Sequence, residues 1–453
     1  MMRPMTGSAR VAACAVRGAT AALLFGLAPA WSMDLMEAYR AALEQDATVR
    51  VARAAADSTR ERLPQARAQL LPQLSLSVGR NSNDLSRTQE FLGRPSTTDE
   101  QYYSFNQTLQ LRQPLFRKPL WDGLEQAGYL VQDAEATLER ELQNLGVRVA
   151  GSYLEALLAQ DQLELVLAQQ AFIVTQLDAA RKALVAGSGI RTDIDDAQAR
   201  LDMNRAQELE ARQHVDYTRR QLEVLINAPA GTLARLDASR LAQIRPELDS
   251  LDDWLSLAEA NSPEIRSLKA RLEAARLEVA KAEGGHYPPL DAVVQATRSA
   301  SENVTTPSSS YINRTVGLQL NLPLYTGGYT SSVVRQALAE QLRAAEALEA
   351  SRRDLAVRLH NEFRGVTEGV LKVKAFEQAV ASAEQMAVSS RRAFQAGSRT
   401  QLDVLNAEQQ LQAARRDLAQ ARYRYLISRV RLQALAGGDK ETALTEVNAC
   451  LLP

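Results

Sequence analysis

A metal or nucleophilic centre in this chain would have to draw on its three histidines and two cysteines. His214, His286 and His360 are too scattered for a short metal motif, and His214 and His360 fall in stretches that read as helix surface. Cys14 and Cys450 form no paired motif, and neither a Gly-rich phosphate loop nor a nucleophile elbow occurs. Gly327-Gly328 reads as a strand-to-helix bend. No catalytic residue, no cofactor-binding residue and no metal ligand is therefore expected. The residues that stand out instead are two Ala-Gly-Ser turns, one at Gly187-Ser188 and the other at Gly397-Ser398. Carboxylates follow each turn, Asp193, Asp195 and Asp196 after the first and Asp403 after the second. Acidic side chains in the first turn of a helix are favoured by its exposed backbone N–H groups, which is one reading of these carboxylates.

Those turns need long helices to carry them. Aromatic residues are only 5% and glycines number 22, while Ala, Leu, Gln, Glu and Arg dominate, a composition suited to long helices packed through small side chains. Lys plus Arg (53) nearly balances Asp plus Glu (54), so no global field favours a nucleic acid or another polyanion. Residues 1–32 read as a secretory signal. Arg3, Arg10 and Arg17 precede the run Ala21–Leu27, Ala28-Pro29-Ala30 supplies the small residues of a cleavage site, and the run is too short to span a bilayer. Cys14 does not make a lipid-anchor site, because the apolar segment follows it. Removing the signal leaves Cys450 alone, so stability must come from packing or assembly.

The remainder is duplicated. Leu71-Pro72-Gln73-Leu74 recurs as Tyr287-Pro288-Pro289-Leu290, Leu109–Phe116 as Leu318–Tyr325, and Ala186-Gly187-Ser188 with Asp193 and Ala197 as Ala396-Gly397-Ser398 with Asp403 and Ala407, all at nearly the same displacement along the chain. The expected organisation is a first repeat over 33–228, a linking equatorial segment over 229–250, a second repeat over 251–438 and a tail over 439–453. Each repeat reads as a helix, a strand pair (about 74–116 and about 290–324), a very long helix, a Gly-Ser turn and a returning helix. No proline lies between Pro119 and Pro229, or between Pro323 and Pro453, which favours helix throughout. Leu138, Leu142, Leu145 and Val149 form one heptad seam. Val404, Leu411, Leu418, Tyr425 and Leu432 form a second, flanked by Ala407, Ala414, Ala421, Ser428 and Leu435. A helix from Leu120 to Ala186 would be about 100 Å long.

The strands alternate apolar with neutral-polar residues: Leu74, Leu76 and Val78 against Ser75 and Ser77; Leu290, Ala292, Val294 and Ala296 against Asp291, Gln295 and Thr297; Ile312, Val316, Leu318, Leu320 and Leu322 against Asn313, Thr315, Gly317, Gln319 and Asn321. Phe105, Leu109 and Leu111 make a weaker fourth. Such faces suit lipid on one side and a wet lumen on the other. Polar segments around Arg80–Gln101 and Ser299–Ser310 are expected to be long loops joining each pair. Four strands cannot close a membrane barrel, which needs about eight, so sister copies must complete it, and about twelve strands from three copies suit a conduit best. A rod-like scaffold or a periplasmic coiled-coil adaptor of an export complex is the alternative. It would carry a single hairpin and soluble β modules.

Four features together resemble the TolC family of outer-membrane efflux proteins: the signal, Asp34–Tyr39, Leu70–Leu74, and above all Phe394-Gln395-Ala396-Gly397-Ser398-Arg399-Thr400-Gln401-Leu402-Asp403-Val404-Leu405-Asn406-Ala407. The resemblance covers nearly the whole mature chain. It implies a mainly α fold with an inserted membrane β-barrel portion, in which a homotrimer forms a twelve-stranded barrel in outer-membrane lipid and an α-helical tunnel in the periplasm. It further implies passive conduction from a periplasmic adaptor and an inner-membrane transporter, ATP-driven or proton-driven, in type I protein secretion or multidrug efflux. No enzyme activity and no nucleic acid are implied. By the same resemblance Asp403 matches an acidic ring member at the periplasmic constriction, with Asn406 in place of its usual acidic partner. Arg399 matches an arginine that tethers neighbouring coils, and Asp193 matches its acidic counterpart. Asp196 joins the constriction, Phe394 stands where a tyrosine is usual, and the turns at Gly187, Ser188, Gly397 and Ser398 are where an adaptor docks. For Asp193 and Arg399, a constriction role and a capping role both remain open.

Overall fold

The computed structural model describes residues 32–243, 250–301, 309–439 and 441–452. The signal reading of 1–32 lies outside them except for its last residue, as do the middle of Ser299–Ser310 and the end of 229–250. Asp34 starts helix α1 (Leu35–Gln45) with a reciprocal capping box, accepting from the Glu37 backbone while Glu37 accepts from the Asp34 N–H. Helices α2 (Ala47–Arg60) and α3 (Arg62–Ala68) lead to strands β1 (Gln73–Phe91) and β2 (Arg94–Phe116). Pro119, where a missing N–H costs nothing, opens the 68-residue α4 (Lys118–Val185), and the 36-residue α5 (Arg191–Ile226) returns along it. The second repeat follows the same plan. Helices α6 (Leu251–Asn261) and α7 (Pro263–Glu283) precede β3 (Leu290–Ser301) and β4 (Ser309–Leu320). The 67-residue α8 (Tyr329–Gln395), the 36-residue α9 (Gln401–Ala436) and the short α10 (Thr442–Asn448) end it. Helices α4 and α8 are each about 100 Å long. No described helix is long and apolar enough to cross a membrane.

The four strands form one antiparallel sheet in the order β1-β2-β3-β4, open at both edges. Its register sorts the side chains cleanly. Leu74, Leu111, Val294 and Val316 lie across one rung, and Ser75, Gln110, Gln295 and Thr315 across the next on the opposite face. Most of the large apolar residues of the first face are exposed; Val316 is 80% and Leu318 70% accessible.

Where a long loop is expected over Arg80–Gln101, the strands instead continue. β1 and β2 pair from Gln73↔Arg112 to Phe91↔Arg94. They turn on Leu92 and Gly93, both at positive φ (53° and 76°). Two such residues suit the twist of a two-residue hairpin. Beyond the last rung shared with β3 (Ser104↔Ser301) the ribbon has water on both faces, so its pairing leaves no apolar period to read. It is held by polar cross-strand contacts, such as Thr88 to Thr97 at 2.9 Å and Asn83 to the Ser104 hydroxyl at 3.0 Å.

The main core is a belt part-way along the rods, where α1, α6, α10 and the ends of α5 and α9 surround α4 and α8. Leu35, Tyr39, Tyr153, Leu222, Trp254, Leu359, Tyr425, Leu432 and Val447 fill it. The seam Val404, Leu411, Leu418, Tyr425 and Leu432 is buried at every position. Helices α8 and α9 meet closely because Gly365 and Gly369 have no side chains. A Cβ on Gly365 would stand 2.6 Å from the Ser428 hydroxyl, and one on Gly369 3.0 Å from Tyr425. The belt also ties the chain ends together. Met33 bridges to Leu233 and Leu236 to Leu451, and Asn448 accepts from the Leu35 N–H at 2.9 Å while donating to Asp34. The tail's described residues 441–452 thus join the core, with Ala443, Leu444, Val447, Cys450 and Leu451 buried.

Candidate functional site at the helix tips

Both hairpins turn at the end of the rods farthest from the sheet, and both turns are closed by the same pair of backbone hydrogen bonds. Gly187 donates to Leu184 and Ser188 to Ala183 (3.0 Å each); Gly397 donates to Phe394 and Ser398 to Ala393 (2.9 Å each). This pairing satisfies the last carbonyls of α4 and α8, and it requires a left-handed residue. Gly187 (φ 73°) and Gly397 (φ 75°) supply it. The serine hydroxyls add a second bond to the same carbonyls, Ser188 to Ala183 at 3.3 Å and Ser398 to Ala393 at 3.0 Å. Beyond the belt each hairpin is held by a small cluster, Ile173, Leu177, Ala197 and Leu201 in the first and Ala383, Ala387, Ala407 and Leu411 in the second.

The expected site residues fall into three groups. Asp403 belongs to a reciprocal capping box with Thr400. Its carboxylate accepts from the Thr400 N–H at 2.9 Å. The same carboxylate accepts from the Thr400 hydroxyl at 2.8 Å. In return the Thr400 hydroxyl accepts from the Asp403 N–H at 3.2 Å. The backbone bond from Thr400, then its hydroxyl, hold the Asp403 carboxyl below the usual aspartate range, with the Arg399 charge adding to this. Asp196 and Asn406 come together through Arg200, whose guanidinium pairs with Asp196 at 3.3 Å and donates to Asn406 at 2.8 Å and Gln409 at 3.0 Å. Asp193 and Arg399 are not joined within the protomer. Arg399 donates to the buried Ser390 hydroxyl at 3.1 Å, and Asp193 sits in the first turn of α5 without capping it, since the N-cap residue there is Ile190. Phe394 is 39% exposed and has no polar group to offer a network.

Sequence reasoning missed Arg200 and Ser390. Arg200 stands four residues after Asp196 on one helix face, a spacing that does favour an ion pair. Its reach across to α9 needs the packing of the two hairpins, which also brings Gln401 to the Gln176 carbonyl at 3.4 Å. Within the second hairpin Arg391 pairs with Glu408 at 3.1 Å. The tips therefore carry an electrostatic assembly on rigid rods: Arg200 and Gln401 join the two hairpins, while Arg399 stays exposed and Asp193 half-buried.

Comparisons with known proteins agree with this architecture. The family model described as outer membrane efflux protein matches residues 38–228 and 254–438. The proteases secretion protein PrtF of Dickeya chrysanthemi is 32% identical over 422 residues, covering 93% of this chain and 91% of its own. The outer membrane protein TolC of Vibrio cholerae is 30% identical over 426 residues, covering 93% and 94%. Among solved structures, the outer membrane protein VceC of Vibrio cholerae superposes with a TM-score of 0.76 at 21% identity, covering 90% of this chain and 97% of that one. The alternative of a periplasmic adaptor finds no support in them.

Proposed function

This chain belongs to the outer membrane efflux protein family, that of the TolC channels, and from that premise we propose how it assembles, what it joins and what its tips do. The family's members are outer-membrane channels of efflux and secretion complexes, and the chain is a channel protein of the outer membrane, not an enzyme. Three copies pair β4 of one protomer with β1 of the next into a twelve-stranded barrel, and the rods below it enclose a tunnel. The observation that carries this is the open four-stranded sheet with an exposed apolar face. Its two edges leave backbone groups that lipid cannot satisfy, and about eight strands are the least that close a membrane barrel.

Conduction is passive, with the energy supplied by the partner. An inner-membrane transporter hands its cargo over through a periplasmic adaptor that docks at Gly187, Ser188, Gly397 and Ser398. Cargo is a secreted protein; the full-length similarity to a protein named for protease secretion supports that over small-molecule efflux. At the tips Asp193, Asp196, Arg399, Asp403, Asn406 and Phe394 form the constriction, with Arg399 of one protomer reaching toward Asp193 of its neighbour. Purified mature protein is expected to require detergent, to run as a heat-modifiable trimer and to open ion-conducting pores in planar bilayers. A water-soluble monomer that never enters lipid would overturn the assembly. Loss of drug resistance without loss of protein export, on deleting the gene, would overturn the cargo.

A further inference from the structure

The outward face of the sheet is not uniformly apolar. Following the register away from the helices, the rungs on this face are Leu290 with Leu320, Ala292 with Leu318, Val294 with Val316, and Ala296 with Arg314. The next two carry Arg298 beside Ile312 and Arg80 beside Phe105 and Ala300. Three arginines from three strands thus occupy the outer end of a face that is otherwise lipid-like. All three are exposed. Arg80 lies over the Tyr103 ring with its guanidinium carbon 4.9 Å from the centroid. Beside it is a shallow pocket of about 370 Å³ bordered by Tyr103, Phe105, Ala300 and Ser310. Among the described residues the nearest carboxylate on this face is Asp84, two rungs beyond Arg80, which accepts from Gln101 at 3.4 Å.

Charges on the lipid face of a barrel cost about 2–4 kcal/mol at the bilayer midplane and little at its borders, so the placement is informative. From Leu290 to Arg298 the strand advances about 26 Å along its axis at about 3.3 Å per residue, and roughly 20 Å in height once tilted. That height is near the top of a hydrocarbon band of about 25 Å, where a long guanidinium side chain reaches the headgroup layer. The groups found there are lipid phosphates. An arginine's planar fork matches a phosphate in a bidentate manner, and three forks with no carboxylate beside them among the described residues make an anion site.

We propose that Arg80, Arg298 and Arg314 form a binding surface for the phosphorylated headgroups of outer-leaflet lipids. The opposite face of the neighbouring rungs carries Ser77, Thr108, Thr297 and Asn313, so the cationic cluster belongs to the wall in contact with lipid and not to the conduit. The surface anchors the barrel against vertical slippage at the one end of the apolar face that lacks helices beneath it.

The test uses the full mature protein in neutral detergent. Its thermal midpoint is read while titrating bisphosphorylated lipid A, the same lipid dephosphorylated, or inorganic phosphate. Only the phosphorylated lipid is expected to raise the midpoint. In R80Q/R298Q/R314Q its apparent affinity should fall about tenfold or more. The lysine triple variant, which keeps the charges, should fall less. Should the glutamine variant assemble poorly, R298Q alone, followed by lipid retention in native mass spectrometry, reads the same loss. An unchanged shift in the glutamine variants, or equal shifts with dephosphorylated lipid or with phosphate alone, would overturn the proposal.

Discussion

At the first tip α5 begins behind an extended Ile190 whose side chain bonds to nothing, and at the second α9 begins behind Thr400 in a reciprocal capping box with Asp403. The turns before them share a left-handed glycine and the serine after it, but the first then has Gly189, whose N–H also bonds to the Ala183 carbonyl, where the second has Arg399. Duplication has therefore preserved the turn and let the helix starts diverge. The acid of the second tip is occupied by its own helix, whereas Asp193 of the first caps nothing, and Asp196 is spent on the Arg200 bridge to α9. A carboxylate in a helix's first turn is not by that fact a cap. Asp403, paired with Thr400, is one, and Asp193 is not.

The strongest break of this comparison is functional. Replacing Arg399 by Ser together with Asp193 by Ala should raise single-channel conductance severalfold in planar bilayers, while Asp403→Ala should change it far less. If Asp403→Ala opens the pore and the double variant does not, the roles are reversed. Next in size, Gly187→Val and Gly397→Val should each cost roughly 1–2 kcal/mol, because a β-branched residue must be forced into the left-handed region. The two losses, followed by hydrogen exchange of the adjacent helix ends, should be equal, and a marked inequality would show that the turns are not equivalent. Smaller again, Thr400→Ala should lower the stability of the first turn of α9 by about 1 kcal/mol. Ile190→Ala should leave α5 unaffected, and Ile190→Thr should raise its protection. The least effect is with pH. The folded Asp403 carboxyl lies below its ordinary value of 3.8, so the protection it confers is complete above that pH and fades as pH falls through the depressed value. Asp403→Asn should remove that dependence at α9, and protection of α9 that does not change between neutral and strongly acidic pH would contradict the assignment.

Much of the fold was legible because period and punctuation agree. The seven-residue seam from Val404 to Leu432, the long proline-free runs and the alternation from Val316 to Leu320 each admit one secondary structure. The ribbon over 82–103 was not, since a two-stranded extension wetted on both sides needs no alternation. Nor was the docking of α10, which is too short to carry a pattern that shows what it covers. At the tips, the glycines and the Thr400-to-Asp403 spacing were visible in the sequence. The bridge from Asp196 through Arg200 to Asn406 was not, because it links residues from separate hairpins.

Asn448 holding Asp34, and Leu451 lying against Leu236, fasten the segment after α9 to the residue that caps α1 and to the link between the repeats. Two stretches more than 400 positions apart in sequence thus close the same belt, and a chain lacking Asn448 and Leu451 would leave Asp34 and Leu236 without these partners.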